Sequence, residues 1–189
     1  YIILKPEFRN NYLKLSINDE NMSFVYELTK LLKIRKNSFL NSLNTFVGLP
    51  HRYEIFMKRN NCIFINDSKA TSFQSTKFAL KNSKNIFWIL GGMPKKNDKI
   101  ILHGLKKNIL RSYIIGKSTN FFKKQIKGQI KFYETRTIRK SILKILKDIR
   151  TLKKQNNTIL LSPSSASYDQ YLNFEKRGDE FKKLCKFYA

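Results

Sequence analysis

The chain has 189 residues, 38 of them Lys or Arg against 13 Asp or Glu, for a formal net charge of +25. That length suits one full domain and part of another. No apolar run is long enough to cross a bilayer and Tyr1 to Ser16 holds no signal-peptide pattern, so a cytoplasmic protein without a membrane partner is expected.

The lysines are spread through nearly every segment beside abundant Asn and Ile, which reads as a solvated basic surface more than as a nucleic-acid patch. Cys62, Cys185, His51 and His103 lack the spacing of a metal or redox site, and the cysteines read as buried free thiols.

In chain order, Ile2 to Leu4 and Tyr12 to Ser16 read as short strands. Apolar residues at helical spacing predict helices over Met22 to Leu32 and Ser38 to Val47, and Gly48-Leu49-Pro50 stops the second. These opening residues are too few to close a core and read as the tail of a domain. From His51 the pattern alternates. Tyr53 to Met57 and Cys62 to Asn66 form a hairpin about Asn60-Asn61, and Asp67 and Ser68 are placed to cap a helix that begins near Thr71 and runs over Phe73 to Lys81. Ile86 to Leu90 is a buried strand, followed by Gly91-Gly92 and a helix across Lys99 to Lys107. Strands at Arg111 to Ile115 and Ile130 to Tyr133 precede a helix over Arg136 to Leu152, a strand at Thr158 to Leu161, a Ser-rich loop and a short final helix. The Ile138, Ile142, Ile145, Ile149 and Leu152 stripe suits a helix laid on a sheet, with membrane or partner docking as the alternative. Alternating strands and helices predict an α/β fold, a Rossmann-like doubly wound and mostly parallel sheet.

In such a sheet the carboxyl ends of the parallel strands share one edge, where ligands bind. Asn66 to Thr71, Gly91 to Asn97 and Ser162 to Asp169 should converge there. They bring Asp67, Lys69 and Thr71, then Lys95, then Ser162, Ser164, Ser165 and Ser167. Cations, hydroxyls and backbone donors of this kind can replace the water lost by a small dicarboxylate. Gly116-Lys117-Ser118 looks like the end of a phosphate-binding P-loop, but Arg111 stands where that motif needs a glycine, so no complete P-loop is present.

Read together, Gly48-Leu49-Pro50-His51-Arg52, Asn66-Asp67-Ser68-Lys69-Ala70-Thr71, Gly91-Gly92 with Lys95, and the block from Leu161 through Asp169 and Asn173 to Phe181 resemble the D-glutamate-adding branch of the Mur ligases. The resemblance covers nearly the whole chain. It implies the C-terminal, amino-acid-delivering domain over residues 49–189, preceded in residues 1–48 by the end of the central ATP-binding domain. It further implies an ATP-dependent amide ligase of peptidoglycan synthesis, working through an acyl phosphate, with UDP-N-acetylmuramoyl-L-alanine, D-glutamate and ATP as partners. Thr71 and Lys95 would then hold one carboxylate of D-glutamate, and Ser167, Tyr168 and Phe174 the other. Arg52, Asp67, Asn18 and Asn21 match nucleotide contacts, and Lys69 a catalytic, phosphate-side position. Magnesium ligands and the P-loop are expected upstream of Tyr1, so no metal ligand is assigned here. A monomer is expected at full length, and an inactive protein from this stretch alone. Two features depart from the family pattern: Ile17 where a His is usual, and Met93-Pro94 beside Lys95. The competing readings are a basic nucleic-acid-binding module that kept the fold, and a Mur ligase for another amino acid.

Overall fold

In the computed structural model, residues 19–189 are described, and the chain divides into two units, Tyr1–Leu49 and Pro50–Ala189. The strands expected at Ile2 to Leu4 and Tyr12 to Ser16 lie outside the described residues. The first unit contains α1 (Asp19–Leu31) and α2 (Lys36–Thr45). Their apolar contact centres on Met22, Phe39 and Leu43.

The second unit is built on six strands, β1 (Glu54–Arg59), β2 (Cys62–Asn66), β3 (Ile86–Gly91), β4 (Ile109–Ile115), β5 (Phe132–Arg136) and β6 (Asn157–Leu161), in the order β1-β2-β6-β3-β4-β5. β1 and β2 are antiparallel and every other pairing is parallel. Asn60 and Asn61 join the first pair with φ of 51° and 57°. Two successive left-handed residues match the twist of a tight hairpin, and Asn tolerates that conformation well.

Helices α3 (Phe73–Asn82), α4 (Thr119–Ile126), α5 (Ile138–Leu152) and α6 (Phe174–Tyr188) cover the sheet. Side chains alternate across each strand, so one face gathers Ile65, Trp88, Leu90 and Leu160 with Phe73, Leu80 and Phe122. The other gathers Phe64, Phe87, Ile89, Ile159 and Leu161 with Ile138, Ile142, Ile145, Phe181 and Cys185. The isoleucine stripe of α5 therefore lies on the sheet. Cys62 and Cys185 are free, buried thiols, both pushed up by burial. Among the described residues no helix is long and apolar enough to cross a membrane.

Three local expectations change. The helix across Lys99 to Lys107 is a loop closed by a single 3-10 turn at Lys106–Asn108. Ile100 and Leu102 are buried while Ile101 is 57% exposed, an extended alternation, and Gly104 has a φ of +71°. The chain instead forms α4 between β4 and β5, where no helix was expected, with Phe122 and Ile126 buried. Finally, α3 is capped by Ser72, whose Oγ accepts from Ser75 N at 3.4 Å, and not by Asp67 or Ser68.

Candidate functional site

β2, β3 and β6 are neighbouring parallel strands, so the loops that leave their carboxyl ends emerge at one edge of the sheet. The first leaves β2 at Asn66. Asp67 N donates to Leu161 O at 2.8 Å, tying this loop to the end of β6. The Asp67 carboxylate is 8% exposed and takes Tyr53 N on Oδ1 at 3.1 Å and Ser162 Oγ on Oδ2 at 2.6 Å. Burial pushes its pKa up to about 7, against the pull of those two donors and of the nearby Arg52 charge. Ser162 Oγ also lies 3.0 Å from Thr76 Oγ1, to which Ser164 donates at 2.9 Å. A row of hydroxyls thus connects α3, the β6 loop and Asp67.

The second and third loops are stitched by their backbones. Gly91 N donates to Pro163 O at 2.9 Å, Met93 N to Ala166 O at 2.9 Å and Ala166 N to Met93 O at 3.1 Å. Gly92 has a φ of +135°, and a Cβ there would stand 2.3 Å from Ala166 O, so the two loops meet only because this residue has no side chain. Lys95 follows two residues after this bridge and Ser167 one residue after it, which brings their two loops side by side.

Arg177, on the first turn of α6, is 1% exposed. Its Nε donates to Ser68 Oγ at 3.0 Å, Nη2 to Ser68 O at 2.8 Å, and both Nη1 and Nη2 to Ser165 O at 3.1 Å. Ser68 Oγ in turn donates to Phe174 O at 2.8 Å. One guanidinium joins the β2 loop, the β6 loop and the start of α6. Burial lowers its pKa to about 10, which leaves it charged at neutral pH.

Of the residues expected from sequence, Lys69 is half-buried with Nζ 4.0 Å from the centre of the Phe174 ring, a cation–π contact that joins two of them directly. Thr71 is partly exposed beside Lys69, and its N donates to Lys69 O at 2.8 Å. Ser167 is buried, its carbonyl accepting from Gln170 N and Tyr171 N, whereas Tyr168 and Lys95 are exposed. Arg52 is exposed on the segment before β1. Asn21 is exposed on α1 of the first unit, and Asn18 lies outside the described residues.

Sequence reasoning assigned no role to Arg177 or His51. His51, 7% exposed, has Nδ1 2.9 Å from Asn66 Nδ2, and its carbonyl accepts from Lys69 N at 3.0 Å. A Cβ on Gly178 would stand 2.2 Å from that ring nitrogen, so α6 packs on His51 through the glycine. The available signal was an Arg-Gly pair on the apolar-spaced first turn of a helix beginning with Asn. Among the described residues no three His, Cys, Asp or Glu side chains gather as a metal site.

No family model matches the chain. It is 34% identical over 172 residues to a protein of Wolbachia sp. subsp. Brugia malayi named UDP-N-acetylmuramoylalanine–D-glutamate ligase, a match spanning 91% of this chain and 34% of that one. The protein of that name from Rickettsia felis is 33% identical over 177 residues, spanning 94% and 39%. The chain therefore spans little more than a third of the length of these curated relatives. Among solved structures it is similar to MurF from Acinetobacter baumannii, with a TM-score of 0.65 at 14% identity over 91% of this chain and 37% of that one. A bifunctional folylpolyglutamate synthase/dihydrofolate synthase from Yersinia pestis gives 0.50 at 9% identity over 79% and 34%. At such identities the structural likeness speaks for the α/β Rossmann-like fold alone.

Proposed function

We propose that this chain, which belongs with the UDP-N-acetylmuramoylalanine–D-glutamate ligases along nine-tenths of its length, is the C-terminal part of such an enzyme. It would present D-glutamate to an activated carboxyl group in the cytoplasm. The observation that carries this reading is that Thr71, Lys95, Ser167, Tyr168 and Phe174 all stand on the loops that leave β2, β3 and β6 at one edge, or on the helix those loops hold.

D-glutamate carries two carboxylates, each needing charged or backbone donors to replace its water. On this reading Lys95 and the Thr71 hydroxyl hold one, and the Ser167 hydroxyl with the chain at Tyr168 and Phe174 holds the other. ATP supplies the phosphoryl group that activates the alanyl carboxylate of UDP-N-acetylmuramoyl-L-alanine. The D-glutamate nitrogen then attacks the activated carbonyl carbon. A C–N bond forms, the C–O bond to phosphate breaks, phosphate leaves with its electron pair, and the proton lost from the amine passes to solvent. Lys69 places a cation beside the departing phosphate. The carboxylate of Asp67 and the cation of Arg52, close enough to interact, fit the hydroxyls and phosphates of a nucleotide. The contribution of these residues is orientation and charge stabilisation more than acid/base work. Magnesium and the P-loop are assigned to the rest of the protein.

The test is phosphate release from ATP and UDP-N-acetylmuramoyl-L-alanine by the complete native protein while the amino acid is varied. Release that requires D-glutamate is expected. Release that follows a different amino acid would overturn the D-glutamate assignment, and no amino-acid-dependent release at all would overturn the ligase reading.

A further inference from the structure

We infer that Arg177 is a positioning residue that holds the amino-acid loops and the phosphate-side loop in one register, and that its buried charge stands behind the anionic substrates. The inference rests on the ligase reading above. Burying a guanidinium is costly unless its charge is compensated. Among the described residues no carboxylate forms an ion pair with Arg177, and its partners are the neutral oxygens of Ser68 and Ser165. Those partners stand one residue before Lys69 on one side and two residues before Ser167 on the other, and Ser68 passes the link to Phe174. The second loop, after β3, is close too, because a Cβ on Gly92 would stand 3.2 Å from Arg177 Nη1. Packing alone would be served by an apolar side chain of similar size. A fork of donors aimed at two carbonyls and a hydroxyl fixes loop geometry, and a buried positive charge only partly offset by the nearby Asp169 carboxylate lowers the cost of bringing a dicarboxylate and phosphates to that edge.

The experiment uses the complete native protein with Arg177→Gln, which removes the charge, and Arg177→Lys, which keeps the charge and loses the fork. Near-ultraviolet circular dichroism and the thermal midpoint establish that each variant is folded. In Arg177→Gln the KM for D-glutamate should rise at least about tenfold and the KM for ATP severalfold with it, a joint change that general loosening of the core would not produce in a folded protein. Arg177→Lys should recover part of the KM for D-glutamate while kcat stays depressed, because charge returns without geometry. If Arg177→Gln does not fold, the Lys variant carries the test through that split between KM and kcat. Folded variants with both KM values and kcat within twofold of wild type would overturn the inference and leave the ligase reading standing. Should the wild type show no D-glutamate-dependent turnover, the ligase reading fails, and amide exchange then judges the positioning role. Faster exchange at Lys69 to Thr71, Met93 and Ala166 together in Arg177→Gln supports it, and unchanged exchange overturns it.

Discussion

Two buried aspartates respond to pH with opposite signs. Asp67 is raised from the ordinary 3.8 to about 7 by burial. Between those values the folded chain keeps a proton that the unfolded chain has released, so this group makes stability fall as pH rises from about 4 to 7 and then level off. Asp67→Asn should remove that slope, and the gap between mutant and wild-type melting temperatures should widen in the mutant's favour across the same window. The full effect is bounded by about 4 kcal/mol. Asp148, 3% exposed, differs. Burial pushes its carboxyl up, but donors from Lys144, Tyr113 and Arg111 outweigh this and hold it below the usual range. Its contribution is present above the unfolded pKa and is lost as pH falls through the folded one. Asp148→Asn would leave two cations without their counter-charge, and urea unfolding at pH 7 should show a loss of about 3–5 kcal/mol. In the complete native protein, Lys95→Ala or Ser167→Ala should raise the KM for D-glutamate about tenfold or more. Unchanged kinetics in both would remove these residues from the site. The loops carrying these polar residues were legible in the sequence because runs of Ser, Lys and Asp after apolar strands are local signals. The partners of Asp67 were not, since Ser162 and Tyr53 are distant in sequence and only the strand order brings them together.

The strands and α5 were legible because their apolar patterns carry one period each. The 15 residues of α5 place isoleucine at every third or fourth position against the sheet. Ile145 is fully buried among Phe87, Tyr113 and Ile159 on that face, and Ile145→Ala should cost about 2–5 kcal/mol by equilibrium unfolding. The reading failed where period and composition compete. Lys99 to Lys107 has the lysines and leucines of a helix, yet Ile100 and Leu102 enter the core two apart, as an extended chain does. α4 was hidden for the opposite reason. Its apolar residues are few, and Gly116-Lys117-Ser118 drew attention as a phosphate motif. There Lys117 N donates to Asp169 Oδ2 at 2.8 Å, joining the β4 end to the site's third loop. Order along the sheet was not legible either. Nothing in the sequence states that β6, the last strand, inserts between β2 and β3. That insertion makes the first and third loops neighbours.

The two units differ in how much core each owns, and this sets the last prediction. Residues 50–189 bury an apolar cluster on each face of the sheet, and the sizes of both clusters suit a domain that folds cooperatively. In residues 21–49 the buried apolar side chains are Met22, Phe39 and Leu43, while Phe24, Leu28, Leu31 and Leu32 are each more than half exposed. Trp88 is the single tryptophan of the chain, and it lies fully buried on β3 with Nε1 donating to Ser162 O at 2.8 Å. Its fluorescence therefore reports the second unit, at the root of the loop that carries Ser167. Residues 50–189 produced alone should unfold in one transition by tryptophan fluorescence, with a midpoint within about 3 °C of the 189-residue chain, since each degree corresponds to only a few tenths of a kcal/mol in a domain of this size. A midpoint lower by 10 °C or more would mean that residues 1–49 stabilise the sheet directly. The same comparison bears on function. The proposed D-glutamate residues all belong to the second unit, and so do the proposed nucleotide contacts Arg52 and Asp67. Independent folding would therefore make the proposed amino-acid site a property of residues 50–189.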